Sequence, residues 1–506
     1  MIVSRRLAGA LVGVLLAVVC AGACTAPPGA PREPIGATVV LDTGRLQGRS
    51  DEAAGVLRYR GIPYAAPPVG ALRWAPPQPV AAWSGTLDAG ASGPGCPRPA
   101  PGTGTGVGAG AEDCLRLDVT VPTGTRTGDR LPVLVWLPGP GAAASLDPAR
   151  LARAGTVVVI PDHRSGIEGY FALPGLDRSG EFGLLDQQAA LAWVRAEITA
   201  FGGDPARVAL GGSGAGADSV CAQLASPAAV GLYSRAILQD SACTLANIGD
   251  AVRPGTGLVG DVWKPLAFVA ARGGQTAADL GCPDPDTALA CLRALPADAL
   301  RAVDDGTWTP ATGTRTVTTR PFSLVTTGDL ARVPLLVGTT REAGAPAVDA
   351  AYPTLDPVQL DALIAASGPM AAPIAAGYLR TGTSPRELWA QIVTDRAMAC
   401  PLLRTTQALA TRAPVYAYEF AHPADAGVGA DVPYLMGVAG TPAPAAPGLA
   451  ERMVASWARF VADGSPGPDW PRFGPDGPFL AFTGKTPTTT SVAAFAAAHR
   501  CDRWTG

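Results

Sequence analysis

The chain has 506 residues, of which 47 % are hydrophobic and 16 % charged, and its formal net charge is −3. This composition excludes an intrinsically disordered chain, and the absence of a basic excess argues against nucleic acid as a partner. No segment beyond the N terminus has about 18 uninterrupted apolar residues, so a polytopic membrane protein is excluded as well.

Residues 1–24 are predicted to be an export signal. Arg5 and Arg6 precede an apolar run, and small residues then lead directly to Cys24. A short positive region, an apolar region and a small-residue cleavage site describe a secretory signal. The placement of Cys24 resembles a bacterial lipoprotein signal, in which that cysteine is lipidated, and the alternative is an ordinary signal cleaved near Cys24. We therefore expect an exported protein, either secreted or a cell-surface lipoprotein whose only membrane contact is a lipid at Cys24.

The rest of the chain divides into a short linker and one large domain. Residues 25–35 are rich in proline and alanine and are predicted to be a flexible tether. Residues 36–506 are predicted to form a single domain, with Gly-, Pro-, Ser- and Thr-rich surface loops at 101–111, 306–319 and 439–447.

Short apolar runs alternate with helix-like stretches along this domain. The predicted strands are 132–137, 156–160, 207–210, 236–239, 333–337 and 415–420, and the clearest predicted helices are 184–201 and 215–224. Buried strands that alternate with helices indicate an α/β protein with a mostly parallel sheet.

Eight cysteines follow Cys24, an even number that favours disulfides in an oxidising compartment. Cys282 and Cys291 lie close together around a Pro-Asp-Pro turn, which favours a short closed loop. Cys96 and Cys114 flank a Gly-, Thr- and Ala-rich stretch. Spacing alone does not decide among the roughly 105 possible pairings of eight cysteines, and Cys221 with Cys243 and Cys400 with Cys501 are our guesses.

Several short motifs resemble the signatures of one family. They are GIPYAAPPVG and LRW at 61–74, EDCL at 112–115, DQQ at 186–188, WV at 193–194, FGGDP at 201–205, CLR at 291–293, PY at 433–434 and RCD with Trp504 at the C terminus. Together they resemble the type-B carboxylesterase and cholinesterase family, in register from residue 36 to 506. The resemblance implies an α/β-hydrolase fold, with a central, mostly parallel sheet flanked by helices and long loop excursions. It also implies the disulfides Cys96–Cys114 and Cys282–Cys291.

Acyl transfer on this fold needs a serine on a strand-to-helix turn, a histidine, an orienting carboxylate and backbone amides for the oxyanion. The family's motif is Gly-Glu-Ser-Ala-Gly at a fixed distance from the FGGDP loop, which aligns its nucleophile with Gly214 and its glutamate with Ser213. Glycine adopts the strained backbone of this turn without cost, so Gly214 would keep the turn and delete the nucleophile. The alternative is that Ser213 is the nucleophile, displaced by one residue. We favour the interpretation that Ser213 is a turn residue whose side chain points to a different side of the strand end.

The acid and the base of the family also align with residues whose side chains cannot exchange a proton. The family's glutamate aligns with Ala343, and the neighbouring Glu342 is interpreted as a loop carboxylate in solvent rather than an orienting acid. The family's histidine lies three residues before an acid, which here is Asp431, so it aligns with Val428. The three histidines of the chain are interpreted as structural or surface residues, at positions His163, His422 and His499.

The oxyanion hole differs from the family pattern as well. Pro140 stands where the family has a backbone donor, and proline has no N–H. Gly141 and Ala215 would remain as two donors.

These substitutions predict an exported pseudoenzyme on an esterase scaffold, which acts as a ligand-binding or interaction protein. Its partner would be a small apolar or ester-like ligand, or a protein, as for the neuroligin-like proteins that resemble cholinesterases without a complete triad. The alternative is a weak or rewired carboxylic-ester hydrolase that uses Ser213 with Glu342 and His422. We expect no cofactor, and no metal site because no histidine pair has ligand spacing.

Overall fold

The computed structural model describes residues 32–97, 110–139, 142–241, 243, 251–254, 262–378, 382–422, 427–474, 476–484 and 486–504. The predicted signal with Cys24 and most of the predicted loop 101–111 lie outside these residues. Among the described residues, no helix is both long and apolar enough to cross a membrane.

The strands alternate with helices along the chain, as the apolar pattern predicts. They are β1 (Thr38–Leu41), β2 (Gly44–Gln47), β3 (Arg49–Asp51), β4 (Val56–Pro63), β5 (Thr86–Asp88), β6 (Arg116–Pro122), β7 (Leu131–Leu137), β8 (Leu146–Asp147), β9 (Val157–Pro161), β10 (Gly203–Ser213), β11 (Arg235–Gln239), β12 (Lys264–Pro265), β13 (Ala311–Thr312), β14 (Leu335–Thr340), β15 (Val415–Phe420), β16 (Gly437–Val438), β17 (Phe479–Phe482) and β18 (Thr488–Thr490).

The helices lie between these strands. They are α1 (Ala149–Arg153), α2 (Gly166–Tyr170), α3 (Phe182–Glu197), α4 (Ala215–Ala225), α5 (Leu266–Asp279), α6 (Ala288–Ala294), α7 (Ala297–Ala302), α8 (Pro321–Thr327), α9 (Ala345–Ala351), α10 (Pro357–Ala366), α11 (Ala371–Gly377), α12 (Pro385–Thr394), α13 (Cys400–Ala410), α14 (Val432–Leu435), α15 (Pro447–Asp463) and α16 (Val492–Ala498). A π-helical turn at Asp395–Ala399 joins α12 to α13, and short 3₁₀ turns include Ile198–Phe201 and Cys501–Trp504.

Eleven strands form one mixed sheet in the order β18-β17-β15-β14-β11-β10-β7-β9-β6-β4-β3. The pairs from β9 through β7, β10, β11, β14 and β15 to β17 are parallel, and the flanking pairs are antiparallel. The predicted α/β fold with a mostly parallel central sheet is therefore confirmed. Because the carboxyl ends of parallel strands lie at one edge, the loops that follow β10, β11, β14 and β15 meet there.

Both faces of the sheet are buried, which explains why its central strands are continuous apolar runs. In β7, Val133 and Val135 pack into the core that also holds α3 and α4, whereas Leu134 and Trp136 pack against the α15 side. This alternation follows from the period of two in a strand.

The observed strands differ from the predicted ones at their ends. The strand predicted at 333–337 begins at Leu335, after Pro334, because a proline cannot donate to the ladder. The strand predicted at 207–210 extends to Gly203–Ser213, with a register shift against β7 between Gly203 and Val208.

The N-terminal end of the described chain packs against the domain. The Ile35 amide donates to the Thr125 carbonyl at 2.8 Å, and the Ile35 side chain is buried. Glu33 N also donates to Thr127 Oγ1 at 3.0 Å. The packed part of the chain therefore includes the last residues of the segment predicted as a tether.

Four disulfides join Cys96 to Cys114, Cys221 to Cys243, Cys282 to Cys291 and Cys400 to Cys501. The two pairings that the family resemblance implies and our two guesses are all confirmed. The Cys221–Cys243 bond ties α4 to the segment after β11, and the Cys400–Cys501 bond ties α13 to the C-terminal turn.

The packing of β14 against β15 yields a test of the fold. A β-carbon built on Gly338 would lie 2.0 Å from Tyr418 Cε1, whereas one built on Gly274 of α5 has nothing within 4 Å. We expect Gly338→Ala to lower the free energy of unfolding by about 1–3 kcal/mol through overpacking. The control Gly274→Ala should raise it by about 0.5–1 kcal/mol, because alanine favours a helix interior. Urea unfolding followed by tryptophan fluorescence measures both, and equal stabilities would contradict this packing.

Candidate active site

The turn between β10 and α4 lies at the carboxyl edge of the sheet. Gly214 connects the two elements with φ 54° and ψ −121°, and its amide donates to the Gln239 carbonyl at 2.9 Å. A β-carbon built on Gly216 would lie 2.1 Å from the Leu137 carbonyl oxygen, so α4 approaches β7 as closely as a glycine permits. The sequence therefore folds into a strand–turn–helix elbow with Gly214 at its apex.

Val428 faces this apex from the turn that precedes α14. A β-carbon built on Gly214 would lie 3.6 Å from Val428 Cγ1. The Gly429 amide donates to Asp240 Oδ2 at 2.7 Å, which fixes the turn against the end of β11. The structure thus brings together the two positions that we predicted from the sequence to align with the family's nucleophile and base. Neither glycine nor valine has a side chain that can attack a carbonyl or accept a proton.

Ser213 is the last residue of β10, one position before the apex. Its Oγ lies 3.7 Å from where a β-carbon on Gly429 would be. Among the described residues, no histidine nitrogen is hydrogen-bonded to this hydroxyl.

The two acid candidates follow β14. Ala343, at the position that aligns with the family's acid, is buried. Glu342 is half-buried, and burial raises the pKa of its carboxyl, while the charge of His499 acts in the opposite direction. The electrostatic partners of Glu342 are therefore the residues around His499, and the structure shows no hydrogen bond that joins it to Ser213 or His422 within the described chain.

His422 and His163 both follow strands but face different surroundings. His422 is half-buried, its Nδ1 lies 3.4 Å from Tyr434 Oη, and its ring packs near Phe420 and Tyr434. His163 is buried, and burial lowers its pKa to about 4, so its imidazole is neutral at physiological pH.

His499 lies in a buried network of charges near the C terminus. Its Nδ1 is 2.7 Å from Asp395 Oδ1, and its Nε2 is 2.9 Å from Glu419 Oε1. Burial by itself lowers the pKa of His499, but the bonds to these two carboxylates outweigh it and raise the pKa to about 9. Burial likewise opposes ionisation of Glu419, yet hydrogen bonds from His499 and Arg341 lower its pKa to about 2. His499 is therefore an imidazolium held between two carboxylates.

Two further carboxyl groups are buried directly beneath the elbow. Asp240 Oδ1 accepts from the Thr340 amide at 2.6 Å, and Asp431 Oδ2 accepts from Gln239 Nε2 at 2.6 Å and Tyr418 Oη at 2.5 Å. Burial raises the pKa of both groups, and the charge of Asp240 raises that of Asp431 further. These carboxyls connect the ends of β11, β14 and β15 to the turn that carries Val428.

Of the two predicted oxyanion donors, the structure describes one. Ala215 is the first residue of α4, where helical amides have no intrahelical acceptor. Gly141 and Pro140 lie outside the described residues.

A cavity of about 180 Å³ opens beside the elbow. Pro138 and Ala215, next to the elbow, are among its lining residues, and so are Trp263 and Trp308. Asp218, one helical turn after Gly214, places a carboxylate in this lining, and its Oδ1 accepts from Ser241 Oγ at 2.6 Å. Asp218 was not among the residues predicted from the sequence. The available signal was its position four residues after Gly214, because residues four apart on a helix share a face.

Comparisons with known proteins agree with this architecture. The model of the carboxylesterase family matches residues 36–504. The chain belongs to the carboxylesterase family. The cocaine esterase of Homo sapiens is 29 % identical over 512 residues, which cover 89 % of this chain and 87 % of that protein. The para-nitrobenzyl esterase of Bacillus subtilis is 33 % identical over 406 residues, which cover 76 % and 78 %. A fumonisin B1 esterase of Sphingopyxis macrogoltabida is 39 % identical over 219 residues, 40 % of each chain.

The network around His499 predicts the pH dependence of stability in this carboxylesterase-family chain. Because the pKa is raised from 6.5 to about 9, the stabilisation is complete below pH 6.5 and is lost as the pH rises through about 9. It amounts to about 3 kcal/mol. We expect His499→Gln to be less stable at pH 6.5 and to lose much of the decline between pH 6.5 and 9, as measured by urea unfolding at several pH values. The control Gly274→Ala, which leaves this network intact, should keep the wild-type slope. A wild-type slope in His499→Gln would contradict the assignment.

Proposed function

We propose that this chain is an exported, non-hydrolytic member of the carboxylesterase family that binds a small apolar ligand in the cavity beside its elbow. The observation that carries the proposal is the pairing of Gly214 with Val428. A side chain on Gly214 would begin 3.6 Å from a valine methyl group, in the place where this chemistry needs a proton acceptor.

The surroundings of Ser213 and the three histidines support the same proposal. Ser213 has no hydrogen bond to an imidazole among the described residues, His163 is a buried residue of the cavity lining, and His499 is held by two carboxylates. A general base acts only within hydrogen-bond reach of the proton that it removes. The relatives are named for ester hydrolysis, and the proposal is that this chain retains their fold without that reaction.

The cavity supports a binding role because positions 214, 343 and 428 are not among its described lining residues. It is lined by residues from α2, α4 and the segments before α5 and β13, and two tryptophans contribute apolar surface. Concave, mostly apolar cavities with few polar groups are the usual sites of small ligands.

Export is supported by the oxidation state of the cysteines. All eight cysteines after Cys24 pair in four disulfides, which persist in oxidising compartments. Lipidation of Cys24 is the proposed anchor, and mass spectrometry of the membrane fraction with a Cys24→Ala control tests it.

The loss of hydrolysis is tested directly on the purified, disulfide-bonded chain. We expect hydrolysis of p-nitrophenyl acetate, p-nitrophenyl butyrate and a para-nitrobenzyl ester near the uncatalysed rate, with no initial burst. A fluorophosphonate probe should leave the protein unlabelled, while the Bacillus subtilis relative serves as the positive control. Turnover or labelling that disappears in Ser213→Ala would overturn the proposal in favour of a hydrolase that uses Ser213.

Because Gly214 faces Val428, the proposal also predicts which substitutions would restore the reaction with esters and fluorophosphonates. We expect Gly214→Ser alone to restore little activity, because its hydroxyl would have no base. Gly214→Ser combined with Val428→His places an imidazole next to that hydroxyl. We expect this double variant to react with the fluorophosphonate at least about 10²-fold faster than Gly214→Ser alone, which is the lower end of what general-base catalysis contributes.

The matched control is Gly214→Ala with Val428→His, which adds the same β-carbon without a hydroxyl. Thermal melting of each variant checks folding, since a side chain at a positive φ costs about 1–3 kcal/mol. Equal labelling of the single and double serine variants would show that another residue acts as the base.

A further inference from the structure

We propose that a groove beside helix α15 binds a small monocarboxylate with an apolar tail, and that Arg452 and Arg459 receive its carboxylate group. The groove lies between α15, the loop 466–470 and strand β17, and it measures about 370 Å³. Its described lining residues are all different from those of the cavity beside the elbow. The inference therefore concerns a second site and does not rest on the proposed function.

Two arginines line the groove from one face of α15. Arg452 and Arg459 are exposed and seven residues apart, which places them about two helical turns apart on the same side of the helix. Ser456 lies between them on that face and also lines the groove. A guanidinium group stays positively charged in proteins. The helix thus presents two cations and one hydroxyl to the same groove.

The charge of this lining is positive. Within the described chain, neither guanidinium forms an ion pair. Asp463, one turn after Arg459, instead has its carboxylate 3.8 Å from Arg207. Glu451, which is also on α15, lines a different cavity. Asp469 is the one acidic residue of the described lining, so the two arginines leave a net charge of +1 that matches a ligand with one negative charge.

The loop across the groove accommodates the guanidinium of Arg459. A β-carbon built on Gly467 would lie 2.9 Å from Arg459 Nη1, and the φ of Gly467 is 125°. A residue with a side chain would be strained at this φ and would press against the guanidinium. Gly467 therefore lets the end of Arg459 lie directly against the loop, where both residues line the groove.

Much of the remaining lining is apolar. Trp470 and Phe482 are buried, and their ring centroids are 5.5 Å apart in an edge-on contact. The Trp470 indole N–H already donates to the Ala417 carbonyl at 3.2 Å, so this ring is fixed and offers apolar surface to the groove. The lining also includes Ala455, Pro466, Pro468, Leu480 and Pro487. These residues favour a ligand whose uncharged part is apolar.

The donors of the groove favour a carboxylate as the charged group. A guanidinium presents a planar fork of N–H groups that matches the two oxygens of a carboxylate, and such charge-assisted hydrogen bonds are stronger than neutral ones. The Ser456 hydroxyl is a further donor. The volume lies within the range of about 300–1,000 Å³ that is usual for small-molecule sites. A single ring joined to a carboxylate by a short chain meets these requirements together.

The test compares three probes, of which one lacks the charge and one lacks the tail. Calorimetric titration of the full, disulfide-bonded chain uses 3-phenylpropionate, 3-phenyl-1-propanol and acetate. We expect 3-phenylpropionate to bind at least about tenfold more tightly than either of the others. Because both arginines are exposed, its affinity should fall as sodium chloride is added. This series tests the inference without any variant.

Arg452→Gln and Arg459→Gln then test the two cations. We expect each to lower the affinity for 3-phenylpropionate about tenfold and the affinity for the alcohol by less than about twofold. Arg45→Gln, the matched control, removes an exposed arginine of β2 that is not in the described lining and should change neither affinity. Thermal melting confirms that each variant is folded.

Asp469→Asn tests the sign of the field from the opposite direction. It removes the one acidic residue of the described lining, so we expect it to strengthen binding of 3-phenylpropionate about two- to fivefold, as for an exposed charge pair. Weaker binding in this variant would contradict the assignment.

Equal affinity for 3-phenylpropionate and the alcohol, no binding of 3-phenylpropionate, or an unchanged affinity in both groove variants would each overturn the inference. An equal loss in Arg45→Gln would overturn it as well, because it would show a general effect of net charge. Ester turnover and fluorophosphonate labelling, on which the proposed function fails, are measured separately from these titrations.

Discussion

The contact between helix α4 and the end of strand β7 sets the geometry of the whole carboxyl edge of the sheet. Gly216 lies so close to the Leu137 carbonyl that any side chain there would collide with it. With α4 fixed in this position, Gly214 must turn through a positive φ, and its amide reaches the Gln239 carbonyl. The direction of α4 then decides which of its residues face Val428 and which face the cavity.

Buried carboxyl groups hold the other side of this edge in place. Asp240 accepts from backbone amides of β14 and of the turn at Gly429, while Asp431 accepts from Gln239 and Tyr418. A buried carboxyl without partners is costly, so each of these hydrogen bonds also restrains the loop that donates it. The turn that carries Val428 is thus fixed by buried carboxyl groups at positions other than those predicted to align with the catalytic residues. A site can lose its reactive side chains and still keep its backbone arrangement.

The sequence predicts the fold well because the fold depends on short-range patterns. The apolar run at 415–420 matches β15 from end to end, and the stretch at 215–224 matches α4 to within one residue. Strand ends are less predictable, because they depend on partners: β10 extends back to Gly203 only where β7 lies beside it. The proximity of Gly214 and Val428 could be predicted only from the alignment to the family motifs, because no local pattern relates residues so far apart in the chain.

Other parts of the site are not visible in the sequence because they depend on three-dimensional contacts. His499 has no distinctive sequence pattern around it. It follows α16, and its ring contacts Asp395 in the π-helical turn and Glu419 in β15. In the sequence, Asp218 is an ordinary polar residue of a predicted helix. Only the folded structure shows that it lines a cavity together with Trp263 and Trp308. Burial and partner charges change the protonation of such groups, and neither is encoded in the spacing of residues along the chain.

Glycine at the apex of the elbow suits the backbone conformation of this turn. A serine at φ 54° and ψ −121° carries backbone strain of about 1–3 kcal/mol that the rest of the fold must offset, whereas glycine carries almost none. Glycine at the apex therefore leaves the turn without the strain that a side chain would add. The cavity walls arise from Trp263, Trp308 and the face of α4 around Asp218, so they do not depend on which residue occupies the apex. The cavity and the apex are therefore separate features of the fold, and a change of residue at position 214 leaves the described lining residues in place.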